Sequence, residues 1–279
     1  MTEFLDHEGG RLSFDVIGDG PLVVLSPGMG DLRQSYRFLA PRLAQAGYRV
    51  ATVDMRGHGD SSLGWPSITR TDVAGDLIAL IRHLGGPAVI VGQSLSGGAA
   101  TIAAASQPGL VAGIVEINPF TRVQKIDIGA LLRTRRCRRG YPPLIGTQIF
   151  HSLRLWRSYL NVAYPTKPAD WTEYLATLTA KLREPGRMAE FMKTGKSTPA
   201  DAQAQLPNVR CPALIIMGAE DPDFPDPQAE GDAIVAALPA GLGSVAVIPG
   251  AGHYAHAQTP DQVAALVIPF LQKNASASA

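Results

Sequence analysis

The chain has 279 residues, 46% of them apolar, enough to fill one large core without covalent staples. Lys+Arg 25 against Asp+Glu 24 leaves a formal charge of +1, which argues against nucleic acid or an anionic membrane as the main partner, since both need a concentrated basic surface. Cys137 and Cys211 are the only cysteines and stand far apart, so neither a disulfide framework nor a Cys/His metal site is indicated.

The opening MTEFLDHEGG is acidic and lacks a basic-then-apolar leader. No stretch approaches an uninterrupted apolar run of about 18 residues, and the closing NASASA reads as a frayed tail. These features predict a soluble, cytoplasmic protein with no stable membrane insertion.

Glu3–His7 and Arg11–Ile17 read as a hairpin around a GG turn. Short apolar runs then alternate with longer amphipathic ones, the rhythm of a mostly parallel sheet covered by helices. The predicted strands are Leu22–Leu25, Arg49–Val53, Ala88–Val91, Gly113–Ile117, Ala213–Met217 and Val245–Ile248. They are nearly continuous apolar runs, as buried parallel strands should be. The predicted helices are Tyr36–Ala46, Thr69–Leu84, Leu95–Ser106, Gln228–Leu238 and Gln262–Leu271.

From 119 to 207 the rhythm fails, and Arg, Trp, Tyr and Met fall in helical patterns such as Trp171–Arg183 and Arg187–Lys193. The predicted organisation is therefore a core in two parts, 1–118 and 208–279, with a helical cap at 119–207 over one end of the sheet. Ligands bind beyond the carboxyl ends of strands in open α/β sheets, so such a cap covers the site. Its aromatic residues, Trp156, Tyr159, Tyr164, Trp171, Tyr174 and Phe191, either pack it onto the core or line an apolar pocket. The run RTRRCRRG, Arg133 to Gly140, is the local basic exception and reads as a solvated helix face.

VGQSLSGGAA, residues 91–100, carries the chemistry. A Gly-x-Ser-x-small turn between a buried strand and a helix needs small neighbours to bend sharply, and it lifts the serine hydroxyl above the sheet edge. Ser94 is the candidate nucleophile and Ser96 its rival, read as structural. The Leu95 N–H, at a helix N-terminus, is placed to hold a developing oxyanion.

With this elbow the chain resembles the α/β-hydrolase fold family. LSPGMGD (Leu25 to Asp31) is similar to that family's oxyanion loop, which implies the Met29 N–H as second donor. DMRGHGDSS (Asp54 to Ser62), MGAEDPDFP and GAGHYAHAQTP resemble the loops that follow in the same order. Two departures stand out: Pro27 where many relatives have histidine, and Ser96 where most have glycine. The second is shared with a subgroup that includes ligand receptors.

A serine needs a base to take its proton and a carboxylate to orient that base. The resemblance implies His253 as the base, with His256 as the lesser candidate, a second-layer or surface residue. Asp221 is implied as the acid, ahead of Glu220, Asp223 and Asp226 in the same loop and of Glu116 on the preceding strand. His58 is expected to shape its loop, and His7, His83 and His151 form no ligand cluster. The expected activity is a serine hydrolase cleaving an ester or related acyl bond of a small, fairly apolar molecule, with no cofactor and no metal. The alternatives are C–C bond hydrolysis, lactone opening or perhydrolysis on the same residues, or a ligand receptor with residual hydrolysis. Epoxide and haloalkane chemistry is disfavoured, because relatives performing it carry a carboxylate at the position of Ser94.

Overall fold

The computed structural model describes residues 1–124 and 128–275. The last four residues of the expected tail lie outside the described residues.

Eight strands form one sheet in the order β1-β2-β4-β3-β5-β6-β7-β8. They are β1 (Thr2–His7), β2 (Gly10–Ile17), β3 (Leu22–Ser26), β4 (Arg49–Val53), β5 (Ala88–Gln93), β6 (Val111–Ile117), β7 (Ala213–Gly218) and β8 (Gly243–Ile248). Only the pairings of β2, with β1 and with β4, are antiparallel. All others are parallel. The hairpin turn falls one residue earlier than expected, on Glu8 and Gly9 with φ of 48° and 77°. Both turn residues are left-handed, which matches the twist of the strands and frees Gly10 to pair in β2.

The helices between strands are α1 (Leu39–Gln45), α2 (Arg70–His83) and α3 (Leu95–Ser106). The expected helix Tyr36–Ala46 divides into a 3₁₀ turn (Arg33–Tyr36) and α1. Pro41 explains this, because it is tolerated only in a first turn, so the helix cannot run back past Leu39. Helix α2 begins on a capping box in which Asp72 N donates to Thr69 Oγ1 at 3.1 Å and Thr69 N to Asp72 Oδ2 at 2.8 Å.

Between β6 and β7 the described residues form α4 (Ile128–Arg133), α5 (Arg135–Phe150), α6 (Leu153–Ala163), α7 (Trp171–Arg183), α8 (Arg187–Lys193) and α9 (Ala200–Gln205). The chain closes with α10 (Pro227–Ala237), α11 (Ala255–Gln258) and α12 (Pro260–Asn274). None of the described helices is long and apolar enough to cross a membrane.

Alternation within the buried strands feeds two cores. Val24, Ile90, Ile114 and Ile215 face a layer containing α2, α3 and α10. Val23, Val91, Val115 and Ile216 face α1 and α12. The aromatic residues of α6 to α8 join a third cluster with Leu32 and Tyr254, which sit on loops at the carboxyl edge of the sheet. Ile90 is fully buried at the centre of the first core; Ile90→Ala is expected to cost about 2–5 kcal/mol, read as a lower denaturation midpoint at unchanged slope.

Candidate functional site

β5 ends at Gln93 and α3 begins at Leu95, so the whole reversal falls on Ser94. Its backbone sits at φ 55°, ψ −118°, a region that a residue with a Cβ occupies only when its surroundings compel it. Three hydrogen bonds do so: Ser94 N donates to Ile117 O at 3.0 Å, and Ser94 O accepts from Gly97 N and Phe120 N, each at 3.1 Å. The flanking glycines are sterically required. A Cβ on Gly92 would stand 2.2 Å from Ser96 O, and one on Gly97 2.6 Å from Pro119 Cβ. Ser96 is fully buried. Its hydroxyl lies 2.9 Å from Ser26 Oγ and donates to Pro27 O at 2.6 Å, tying α3 to the loop after β3.

At the same sheet edge, His253 Nδ1 and Asp221 Oδ2 are 2.8 Å apart, both buried. Asp221 is held on three sides: Asn118 Nδ2 donates to Oδ2 at 2.6 Å, Asp223 N donates to Oδ1 at 2.9 Å, and the imidazole takes the rest. Asp223 is a second buried carboxylate, 3.4 Å from His253 Nδ1 and accepting from Tyr159 OH at 2.6 Å. Burial disfavours the imidazolium, but the carboxylates of Asp221 and Asp223 outweigh it and push His253 up to about 9. Burial, reinforced by the neighbouring Asp221 charge, pushes Asp223 up to about 7.

Gln93 connects this pair to the loop of Met29. Its Oε1 accepts from Gly28 N at 2.8 Å and its Nε2 donates to His253 O at 3.0 Å. A Cβ on Gly28 would lie 2.4 Å from that Oε1, so glycine is needed for the contact. Among the described residues no hydrogen bond joins Ser94 Oγ to the imidazole. Asp221, Asp223 and His253 also offer three ligand-type atoms within 4.8 Å of one another. Oδ2 of Asp221 and Nδ1 of His253 are already committed to each other, which fits an acid–base pair better than a cation.

The segment between β6 and β7 grips these loops directly. His253 N donates to Ala163 O at 3.0 Å, an approach possible because a Cβ on Gly252 would sit 2.3 Å from the same oxygen. Trp156 Nε1 donates to Gly30 O at 3.2 Å, and the Tyr174 hydroxyl donates to Asp31. Arg136, from the basic run, is half-buried rather than fully solvated. It donates to Asp221 O at 3.0 Å, Phe224 O at 3.1 Å and Pro225 O at 2.9 Å, while its neighbours Arg135, Arg138 and Arg139 remain exposed.

Met29, Ser94 and Leu95 line a cavity of about 470 Å³ walled by Phe120, Tyr141, Leu144, Ile145 and Ile149, with Arg70, Arg122, Gln148, Thr194 and Ser197 among its polar points. Helix α5 thus supplies much of the pocket wall, while the aromatic residues considered from sequence are absent from it and chiefly pack the helices together. A second cavity of about 480 Å³, beside Arg135, Arg136 and Glu220, does not reach Ser94.

The remaining candidates are placed as follows. Glu116 is buried against Thr101 and Thr121, whose Oγ1 donates at 2.7 Å, and is remote from His253's hydrogen bonds; burial pushes its carboxyl up to about 7. Glu220 is exposed, and Asp226 caps α10 through Ala229 N at 3.0 Å. His58 is buried, 3.0 Å from Arg56 O through Nδ1, beside a Gly59 whose Cβ would strike the Asp54 carboxylate at 2.1 Å. His256 is fully buried and stacked on Tyr36 at 4.4 Å, not a surface residue; burial drives its imidazole down to about 3.

The chain belongs to the alpha/beta hydrolase family, a family of enzymes: the family model matches residues 23–266. The 2-(acetamidomethylene)succinate hydrolase of Mesorhizobium japonicum is 28% identical over 269 residues, covering 90% of this chain and 89% of that protein. Among solved structures, a serine hydrolase involved in carbazole degradation superposes with TM-score 0.79 at 18% identity, covering 98% of this chain and 99% of the other. The enol-lactonase from Burkholderia xenovorans superposes at 0.77 with 20% identity, over 97% and 100%. These two likenesses establish shared fold.

The backbone at Ser94 yields a direct test. Glycine accepts the left-handed φ and alanine does not, so Ser94→Gly is expected to be about 1 kcal/mol more stable than Ser94→Ala in denaturant titration.

Proposed function

We propose that the protein is a serine hydrolase acting on an ester or related acyl bond of a small substrate bound in the cavity above Ser94. The observation that carries this is the buried His253–Asp221 pair at 2.8 Å, locked through Gln93 to the same turn that presents Ser94. With Asp221 accepting Nδ1–H, the neutral imidazole keeps its Nε2 lone pair free to act as base. Ser94 Oγ adds to the acyl carbonyl as its proton passes to His253. The Met29 and Leu95 N–H groups hold the oxyanion, aided by the helix α3 dipole. His253 then protonates the leaving group, and an acyl-enzyme remains. Water, giving a proton to His253, hydrolyses that ester, and the proton returns to Ser94.

In this reading residues 119–207 are a cap between two core parts, 1–118 and 208–279, which excludes bulk water and completes the pocket. No cofactor takes part. The names of the relatives, a 2-(acetamidomethylene)succinate hydrolase and an enol-lactonase, lie within the range of chemistries this constellation supports, and a panel of esters, lactones and amides separates them. Ser96 is read as a structural tie, given its bonds to Ser26 and Pro27. A cytoplasmic setting accords with two buried free thiols, Cys137 and Cys211.

A fluorophosphonate probe followed by peptide mapping is expected to modify Ser94, and Ser94→Ala to lower p-nitrophenyl ester turnover by on the order of a thousandfold or more. Label on another serine, or full activity of Ser94→Ala, would refute the assignment. The pH profile tests the electrostatics. Since the neutral imidazole is the active form and its raised pKa delays its appearance, kcat/KM is expected to climb with pH toward about 9. Asp223→Asn removes one of the two carboxylates that favour the imidazolium, so the midpoint of that rise should move down by about one pH unit.

A further inference from the structure

Arg70 opens α2 and is 5% exposed, yet it lines the same cavity as Ser94. Its side-chain bonds go to neutral oxygens: Nε donates to Phe120 O at 2.8 Å and Nη1 to Ser197 Oγ at 2.8 Å. Among the described residues no carboxylate lies within salt-bridge distance of it. The other buried arginines differ. Arg33 is paired with Asp15, Asp54 and Asp60, Arg56 with Glu8 and Asp76, and Arg187 with Glu184. A buried cation normally carries a counter-charge, because removing it from water is costly and neutral acceptors return only part of that cost. Burial accordingly draws Arg70 down to about 10, with Asp201 opposing the shift from a distance.

The fold makes room for this unpaired charge. A Cβ on Gly98 would stand 2.8 Å from Arg70 Cδ and 3.0 Å from Nε, so α3 gives up a side chain one turn after Ser94 to admit the guanidinium. Phe120 then links the two residues, accepting from Arg70 through its carbonyl and donating to Ser94 O through its N–H. The charge is therefore held in register with the serine, in a largely apolar pocket whose other arginine, Arg122, is paired with Glu230. A planar fork of this kind suits a carboxylate.

We propose that Arg70 receives a carboxylate borne by the substrate, so that the Ser94 centre selects acyl compounds carrying an additional ionised carboxyl group over neutral ones of the same length. This rests on the hydrolase reading above. The test compares kcat/KM for mono-p-nitrophenyl glutarate with p-nitrophenyl pentanoate, and for p-carboxyphenyl acetate with phenyl acetate, the pairs placing the charge on the acyl and the alcohol side. The wild-type enzyme is expected to favour the charged member of one pair by about a hundredfold. Arg70→Gln should bring that ratio near unity, and Arg70→Lys, which keeps the cation, should retain part of it.

Absence of any wild-type preference, or an equal loss on both members of each pair in Arg70→Gln, would overturn the proposal and leave Arg70 as a structural pin. A second measurement does not depend on turnover. Glutarate should raise the Tm of wild type and of Ser94→Ala alike, and should leave Ser94→Ala/Arg70→Gln unmoved. A Ser94→Ala variant that still hydrolyses esters would defeat the hydrolase reading, while the glutarate shift judges Arg70 separately.

Discussion

The structure turns on a backbone constraint, a residue with a side chain held at φ 55° between the end of a buried strand and the first turn of a helix. Such a conformation persists only where the neighbours over-determine it. Here Ile117, Gly97 and Phe120 fix the Ser94 peptide groups, while Gly92 and Gly97 let two elements approach closer than any Cβ permits. The hydroxyl is consequently presented by a rigid turn, and every other loop at that edge is positioned relative to it. Gln93 is the clearest instance. It is the last residue of β5, and one amide bonds both to Gly28 beside the Met29 loop and to the His253 carbonyl.

Electrostatics builds on that frame. Two carboxylates, Asp221 and Asp223, share one buried imidazole: burial pushes Asp223 toward its neutral form, while the two carboxylates outweigh burial at His253 and draw it toward its charged one. The segment between β6 and β7 is part of this arrangement. Tyr159 donates to Asp223, the Ala163 carbonyl holds the His253 backbone, and Arg136 gathers three carbonyls of the loop 221–225. Disturbing those helices would therefore reach the His253–Asp221 pair through hydrogen bonds as well as through the shape of the pocket.

Much of this was legible from residue order. The strands announced themselves because a parallel sheet covered on both faces demands continuous apolar runs, and Arg49–Val53 and Leu95–Ser106 match their predicted bounds residue for residue. The loops bearing Ser94, Asp221 and His253 could be placed at one sheet edge, since successive parallel strands end on the same side. The roles of Gln93, Asn118, Arg70 and Arg136 are not legible in the sequence. Gln93 adjoins the serine and Arg136 lies within a conspicuous basic run, yet a polar side chain's partner is a matter of three-dimensional approach, and nothing in spacing says which carbonyl it meets.

The sequence by itself determined the layered α/β architecture, the sharp serine turn and the chemical types gathered beyond the strands, because periodicity and small-residue patterns act over a few neighbouring positions. Only the tertiary structure decided that His253 pairs with Asp221 while a second carboxylate stands close by, that α5 rather than the aromatic helices supplies much of the cavity wall, and that Gly98 yields its space to Arg70. Those outcomes depend on burial and on contacts between residues tens to more than a hundred positions apart, where the energy of a charge or a hydrogen bond is set by its surroundings.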